Sequence, residues 1–208
     1  MSGILEGKVA IVTGAGRGLG RAEALALAAA GAQVVVNDLG CDVAGEGAAA
    51  EVASGVVEEI HANGGTAMAE GSDVSTMAGA RALIAAALDS FGRLDILVNN
   101  AGNARPATIE RMTEEDWDQV IRVHLKGHFA AIHHAAAVFC RQRSGAIINT
   151  ASTSGLGHYG MANYSAAKEG IVGLTHTVAR DLGHYNVRCN AIRPVARFPA
   201  LDPPDFLI

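Results

Sequence analysis

At 208 residues, half of them hydrophobic and only 4% aromatic, the chain suits one α/β domain built on a core of small side chains. Its net charge of −5 and the lack of any run of about 18 apolar residues argue against nucleic-acid, membrane-surface or membrane-spanning roles. The three cysteines, Cys41, Cys140 and Cys189, are odd in number and lack C-x-x-C spacing, which with no signal-peptide pattern at residues 1–8 points to free thiols in the cytoplasm.

Residues 8–13 contain the apolar run Val9, Ala10, Ile11, Val12 and predict a first strand. TGAGRGLGR follows at residues 13–21, and an Ala/Leu-rich helix is predicted at 19–30, closed by Gly31. Strand, glycine turn and helix in that order form the context in which a glycine motif binds a dinucleotide. Gly14, Gly18 and Gly20 let the backbone turn tightly and bring N–H groups at the positive end of the helix to a diphosphate. QVVVN at residues 33–37 predicts the second strand, with Asp38 at its end, about 20 residues past the motif. An acid there accepts hydrogen bonds from ribose hydroxyls and repels a 2′-phosphate. Arg17 pulls the other way, so the balance favours NAD over NADP.

The glycine-rich loop at 39–47 is longer than a compact connection needs. A helix is predicted at 48–62, a third strand at 66–70 leading to Ser72, Asp73 and Val74, and a helix at 75–91. The fourth strand, 94–98, delivers Asn99, Asn100, Ala101 and Gly102 to a loop at its tip. Thr113, followed by Glu114, Glu115 and Asp116, caps a long helix running toward Phe139, with a break expected near Gly127. A fifth strand at 145–150, a helix at 162–182 and a sixth strand at 187–192 complete the alternation. Such alternation predicts a Rossmann-type doubly wound parallel sheet in three α/β/α layers, with ligands bound beyond the carboxyl ends of its strands.

Tyr164 and Lys168 lie four apart in YSAAK, so both project from one helix face. A phenol is a poor acid or base near pH 7, and a neighbouring ammonium is expected to move its pKa toward working pH. Ser152, at the end of the fifth strand, is placed to donate a hydrogen bond to a substrate oxygen. Ser154 is the alternative if the loop threads differently. His124 and His128 are spaced i, i+4, but no third ligand accompanies them, so no metal is expected.

TGAGRGLG, Asp73-Val74, NNAG at residues 99–102, Ser152, YSAAK and the closing NAIRP together resemble the short-chain dehydrogenase/reductase family over about residues 6–195. The resemblance implies that Tyr164 is the acid/base, that Lys168 holds the nicotinamide ribose and lowers the tyrosine pKa, and that Ser152 orients the substrate carbonyl. It further implies a cofactor site formed by Gly14, Arg17, Gly18, Leu19, Gly20, Asp38, Asp73, Val74, Asn100, Ala101, Gly102 and Pro194, together with Tyr164 and Lys168. VVVNDLG with its long loop, and VHLKGHF at residues 123–129, resemble the (3R)-hydroxyacyl-CoA dehydrogenase domain of peroxisomal multifunctional enzymes and its bacterial relatives. An NAD-dependent dehydrogenase of a secondary alcohol follows, on a 3-hydroxyacyl thioester or a hydroxysteroid-like substrate. An inert cofactor-binding fragment and an NADPH-dependent 3-oxoacyl reductase are the alternatives.

Two departures from the family pattern stand out. His124 occupies the place of the family's asparagine, which kinks its helix and holds a relay water; histidine is expected to join such a relay. The family also continues past the sixth strand. The expectation is therefore one domain over residues 1–195 without the usual seventh strand, followed by a truncated tail at 196–208. A homodimer or homotetramer through the helices at 113–139 and 162–182 is implied as well.

Overall fold

The computed structural model describes residues 3–195; the expected tail at 196–208 lies outside them. Among the described residues, six parallel strands form one sheet in the order β3-β2-β1-β4-β5-β6. They are β1 Val9–Thr13, β2 Gln33–Asn37, β3 Thr66–Glu70, β4 Ile96–Asn99, β5 Gly145–Thr150 and β6 Val187–Ile192. The connections carry α1 Gly18–Ala29, α2 Glu51–Ala62, α3 Met77–Phe91, α4 Glu114–Ile121, α5 Gly127–Gln142 and α6 Ala162–Gly183.

Strand β1 shows why two helical layers are needed. All five of its residues are buried, and successive side chains feed opposite faces. Val9 and Ile11 join a core with α3, α5 and α6 through Leu83, Phe139 and Val178. Ala10 and Val12 join a second core with α1 and α2 through Ala24, Val56 and Ile60. The sheet is the doubly wound one predicted.

After β1 the chain winds outward to β2 and β3, then returns to place β4 on the other side of β1, pairing Val12 with both Val36 and Val98. That reversal opens a crevice at the carboxyl ends of β1 and β4.

Several boundaries differ from expectation. Helix α2 starts at Glu51 instead of residue 48, because the Ala49 N–H donates to the Leu39 carbonyl at 3.2 Å and draws residues 48–50 into the preceding loop. Strand β4 runs Ile96–Asn99 instead of 94–98, its register with β5 continuing to Asn149. The expected break near Gly127 is replaced by a π-helical turn, Arg122–Lys126, with His124 at its centre. The wider turn carries the chain from α4 into α5 without interruption. The helix start itself is as predicted, with Thr113 and Asp116 satisfying each other's backbone N–H groups in a capping box.

Candidate active site

The glycine turn is held in shape by β4. Gly14 has φ +62°, and a Cβ there would lie 2.7 Å from the Ala101 Cα, so no larger residue fits the turn against the 100–102 loop. The Asn100 side-chain amide donates to the carbonyls of Thr13 and Gly14 at 3.1 and 3.0 Å. The Thr13 hydroxyl accepts from the N–H groups of Asn100 and Ala101 at 3.0 and 3.1 Å. The two strand ends are thereby locked together, with the N-terminus of α1 facing the crevice.

Asp38 follows β2 on the far side. Its Oδ2 accepts from Gly16 N–H at 2.8 Å and its Oδ1 from Gly40 N–H at 2.7 Å. Arg17 donates to the Cys41 carbonyl at 3.0 Å. Asp73 caps its own turn by accepting from Ser75 N–H at 2.9 Å.

These strand ends line a cavity of about 480 Å³. Its wall includes Gly14, Arg17, Gly18, Leu19, Asp38, Asp73, Val74, Asn100, Ala101 and Gly102 from the expected cofactor set, together with His124, Tyr164 and Lys168. Gly20 lies behind the wall, so close to the Gly14 carbonyl that a Cβ would collide with it. Pro194 and Ser152 also stand off the cavity wall. Ser152 reaches the site indirectly, through the Tyr164 hydroxyl. The size of the cavity, its glycine turn at a helix N-terminus and the acid at the end of β2 fit a dinucleotide.

Tyr164 is half-buried, and burial pushes its pKa above the ordinary value, with only the Ser152 hydrogen bond pulling it down. Lys168 is 2% exposed, and burial pushes its ammonium down to about 7. Its Nζ donates to the Thr150 carbonyl at 2.5 Å and stands 5.4 Å from the centre of the Tyr164 ring. Desolvation dominates both groups, raising the pKa of the phenol and lowering that of the ammonium.

His124 is buried, its ring 5.1 Å from that of Tyr164 in an edge-on arrangement. Nε2 lies 3.0 Å from the Asn103 backbone nitrogen and 2.8 Å from the Asn103 backbone carbonyl oxygen, so one tautomer accepts and the other donates. Burial, aided by the nearby Lys168 charge, holds its pKa well below the ordinary range, which keeps the ring neutral. Its Nδ1 has no partner among the described residues.

Two polar residues of the cavity wall escaped the sequence reading. Asn103 is buried with both amide atoms unpartnered, and the buried Thr150 hydroxyl is likewise unpartnered, among the described residues. Thr150 ends β5 and Asn103 lies four residues past β4, so the strand-end rule that selected Asn100 and Ser152 points to Thr150 directly and to Asn103 through the loop at the tip of β4.

Residues 8–197 match the family model described as short chain dehydrogenase. The chain belongs to the short-chain dehydrogenase family. It is 48% identical over 192 residues to the peroxisomal multifunctional enzyme type 2 of Mus musculus, covering 92% of this chain but only 26% of that one. It is also 48% identical over 207 residues to the hydroxyacyl-CoA dehydrogenase ChsB1 of Mycobacterium tuberculosis, covering 93% of this chain and 62% of the relative. Among solved structures, a 7α-hydroxysteroid dehydrogenase complexed with NADH and 7-oxo glycochenodeoxycholic acid superposes with a TM-score of 0.84 at 34% identity, covering 91% of this chain and 71% of that one.

Proposed function

We propose that this chain is an NAD-dependent dehydrogenase interconverting a secondary alcohol and a ketone, with a 3-hydroxyacyl thioester as its first substrate class and a hydroxysteroid as its second. The observation that carries the reading is one crevice lined by Asp38, Tyr164 and Lys168, with Ser152 hydrogen-bonded to Tyr164 from behind the wall. The names of two relatives, one a hydroxyacyl-CoA and one a hydroxysteroid dehydrogenase, support the two substrate classes in that order.

Residues Gly14, Gly18, Asp38, Asp73 and Asn100 would hold the dinucleotide, which when bound supplies the ring that accepts the hydride. The chain itself handles the proton. Tyr164 Oη takes the hydroxyl proton of the alcohol as the carbonyl forms, and returns one in the reverse direction. Ser152 donates to the substrate oxygen, where negative charge grows as the O–H bond breaks. Lys168 in its charged form offsets the phenolate, and the neutral His124 ring beside Tyr164 can pass a proton onward. The Asp38 carboxylate supports NAD over NADP, since it would repel a 2′-phosphate, and Arg17 is engaged elsewhere.

We further read residues 1–195 as one cofactor-binding unit that forms a homodimer or homotetramer. The exposed Trp117 and Phe129 on α4 and α5 support a protein-covered face there. A reducing compartment, the cytosol first, suits the three free cysteines.

The test is a pair of measurements on the purified chain: dissociation constants for NADH and NADPH, and turnover of a 3-hydroxyacyl-CoA with NAD. Wild type is expected to bind NADH at least about 10-fold more tightly than NADPH, D38S to narrow that gap, and Y164F to lose turnover while still binding NADH. Tight NADH binding without turnover of any secondary alcohol would make the chain a cofactor binder and not a dehydrogenase.

A further inference from the structure

The turn that carries Ser152 is tied to α6 by a contact that neither the glycine motif nor YSAAK contains. Arg193, directly after β6, donates from Nη1 to Glu169 Oε1 at 2.5 Å and from Nη2 to Glu169 Oε2 at 3.1 Å. The same Nη1 donates to the Ser152 carbonyl at 3.0 Å. Glu169 follows Lys168 directly and lies four residues after Ser165, so Ser165 and Glu169 share a face of α6. The Ser165 hydroxyl donates to the Ser154 carbonyl at 2.7 Å. Two carbonyls of the short turn Thr153–Leu156 and its cap are thus pinned to one helix face. Gly155 sits between them so close to Glu169 that a Cβ would strike the carboxylate.

We propose that Arg193 and Glu169 are positioning residues: their bidentate pair fixes the Ser152 backbone on α6, and so keeps the Ser152 hydroxyl on the Tyr164 hydroxyl. The pair is about a third exposed on each side, and such pairs contribute little to stability. Its effect is directional instead. A planar guanidinium can hold both carboxylate oxygens and still donate to a carbonyl, which an ammonium cannot do in the same geometry. The inference rests on the roles given to Ser152 and Tyr164 above.

The experiment follows the Tyr164 phenol itself, by ultraviolet titration taken as the difference from Y164F, in wild type, S152A, R193A and R193K. Because the Ser152 bond lowers the Tyr164 pKa, S152A is expected to move the titration to higher pH. R193A is expected to move it in the same direction by at least half as much, with R193K in between. Melting temperature should stay within about 2 °C of wild type. In active protein kcat should fall about 10-fold while NADH affinity is unchanged. A Tyr164 titration in R193A that coincides with wild type, while S152A shifts, overturns the proposal; so does an S152A titration that does not move. Should R193A not fold, E169Q takes its place, with a smaller shift of the same sign. A wild type without turnover would sink the dehydrogenase reading, and the titration would still decide the positioning one.

Discussion

Lys168 carries a cost that only a function explains. Its side chain is 2% exposed, with the Thr150 carbonyl as its hydrogen-bond acceptor, and burial depresses its pKa from 10.5 to about 7. A lysine depressed in the folded state binds fewer protons there than in the unfolded chain, so stability rises with pH between the two values. Below about pH 7 the full penalty of the buried charge is present; it shrinks as pH climbs from 7 toward 10.5. K168M removes the penalty and retains the apolar stem. It is expected to raise the melting temperature by about 5 °C at pH 6.5, with the gap to wild type closing as pH rises toward 10, while turnover is lost. A melt in which K168M is less stable than wild type at pH 6.5 would show that the Thr150 hydrogen bond outweighs desolvation.

At the scale of elements, the loop between β2 and α2 is more than a long connection. It reaches across the crevice to the segment after β4, where the Ala104 N–H donates to the Val43 carbonyl at 3.0 Å. Arg105 fastens it: Nε donates to the Ala44 carbonyl at 3.1 Å, Nη2 to Glu46 at 2.9 Å, and Nη1 lies 3.5 Å from Asp116. The Arg105 side chain is only 17% exposed, although its partner Glu46 is 69% exposed. In R105A, hydrogen exchange at residues 42–47 should quicken and NADH affinity should fall about 3- to 10-fold, with the core amides unaffected. Unchanged exchange would mean that the backbone bond from Ala104 suffices to hold the loop. None of this was legible beforehand. The sequence marks the loop by its glycines and length, but a salt bridge between residues 46 and 105 leaves no periodic trace. The π turn was hidden for the same reason, since α4, the turn and α5 share one helical pattern and only the His124–Asn103 contact shows where the turn widens.

At the scale of the whole molecule, what was legible is what repeats or alternates. Runs such as QVVVN and GAIINT, each bounded by turn residues, gave β2 and β5 with their observed limits, and the strand ends then assembled most of the crevice. Arg193 was missed as a contributor because its importance depends on partners distant in the chain, Glu169 and the Ser152 carbonyl.

The opposite end of the sheet makes a matching test of stability without chemistry. Asp95, 6% exposed, precedes β4 and accepts from the Val9 N–H at 3.0 Å and from Arg93 Nε and Nη2 at 2.7 Å each, with Lys8 at 3.4 Å. Burial alone would push its carboxyl up, but the hydrogen bonds from Arg93 and Val9 and the charges of Arg93 and Lys8 outweigh it, and its pKa falls below the ordinary value. A depressed carboxylate stabilises the fold above the unfolded pKa, and that contribution is lost as pH falls through the ordinary carboxylate range toward the folded value. D95N should therefore cost about 2 kcal/mol at pH 7, about 4–8 °C in melting temperature, because charge-assisted bonds become neutral ones. The deficit should narrow as pH falls below about 4, where wild type loses the same charge. NADH affinity should be unchanged, since the carboxylate lies at the strands' amino ends, away from the crevice. A deficit constant from pH 7 to pH 3 would assign the loss to packing and not to the carboxylate's charge.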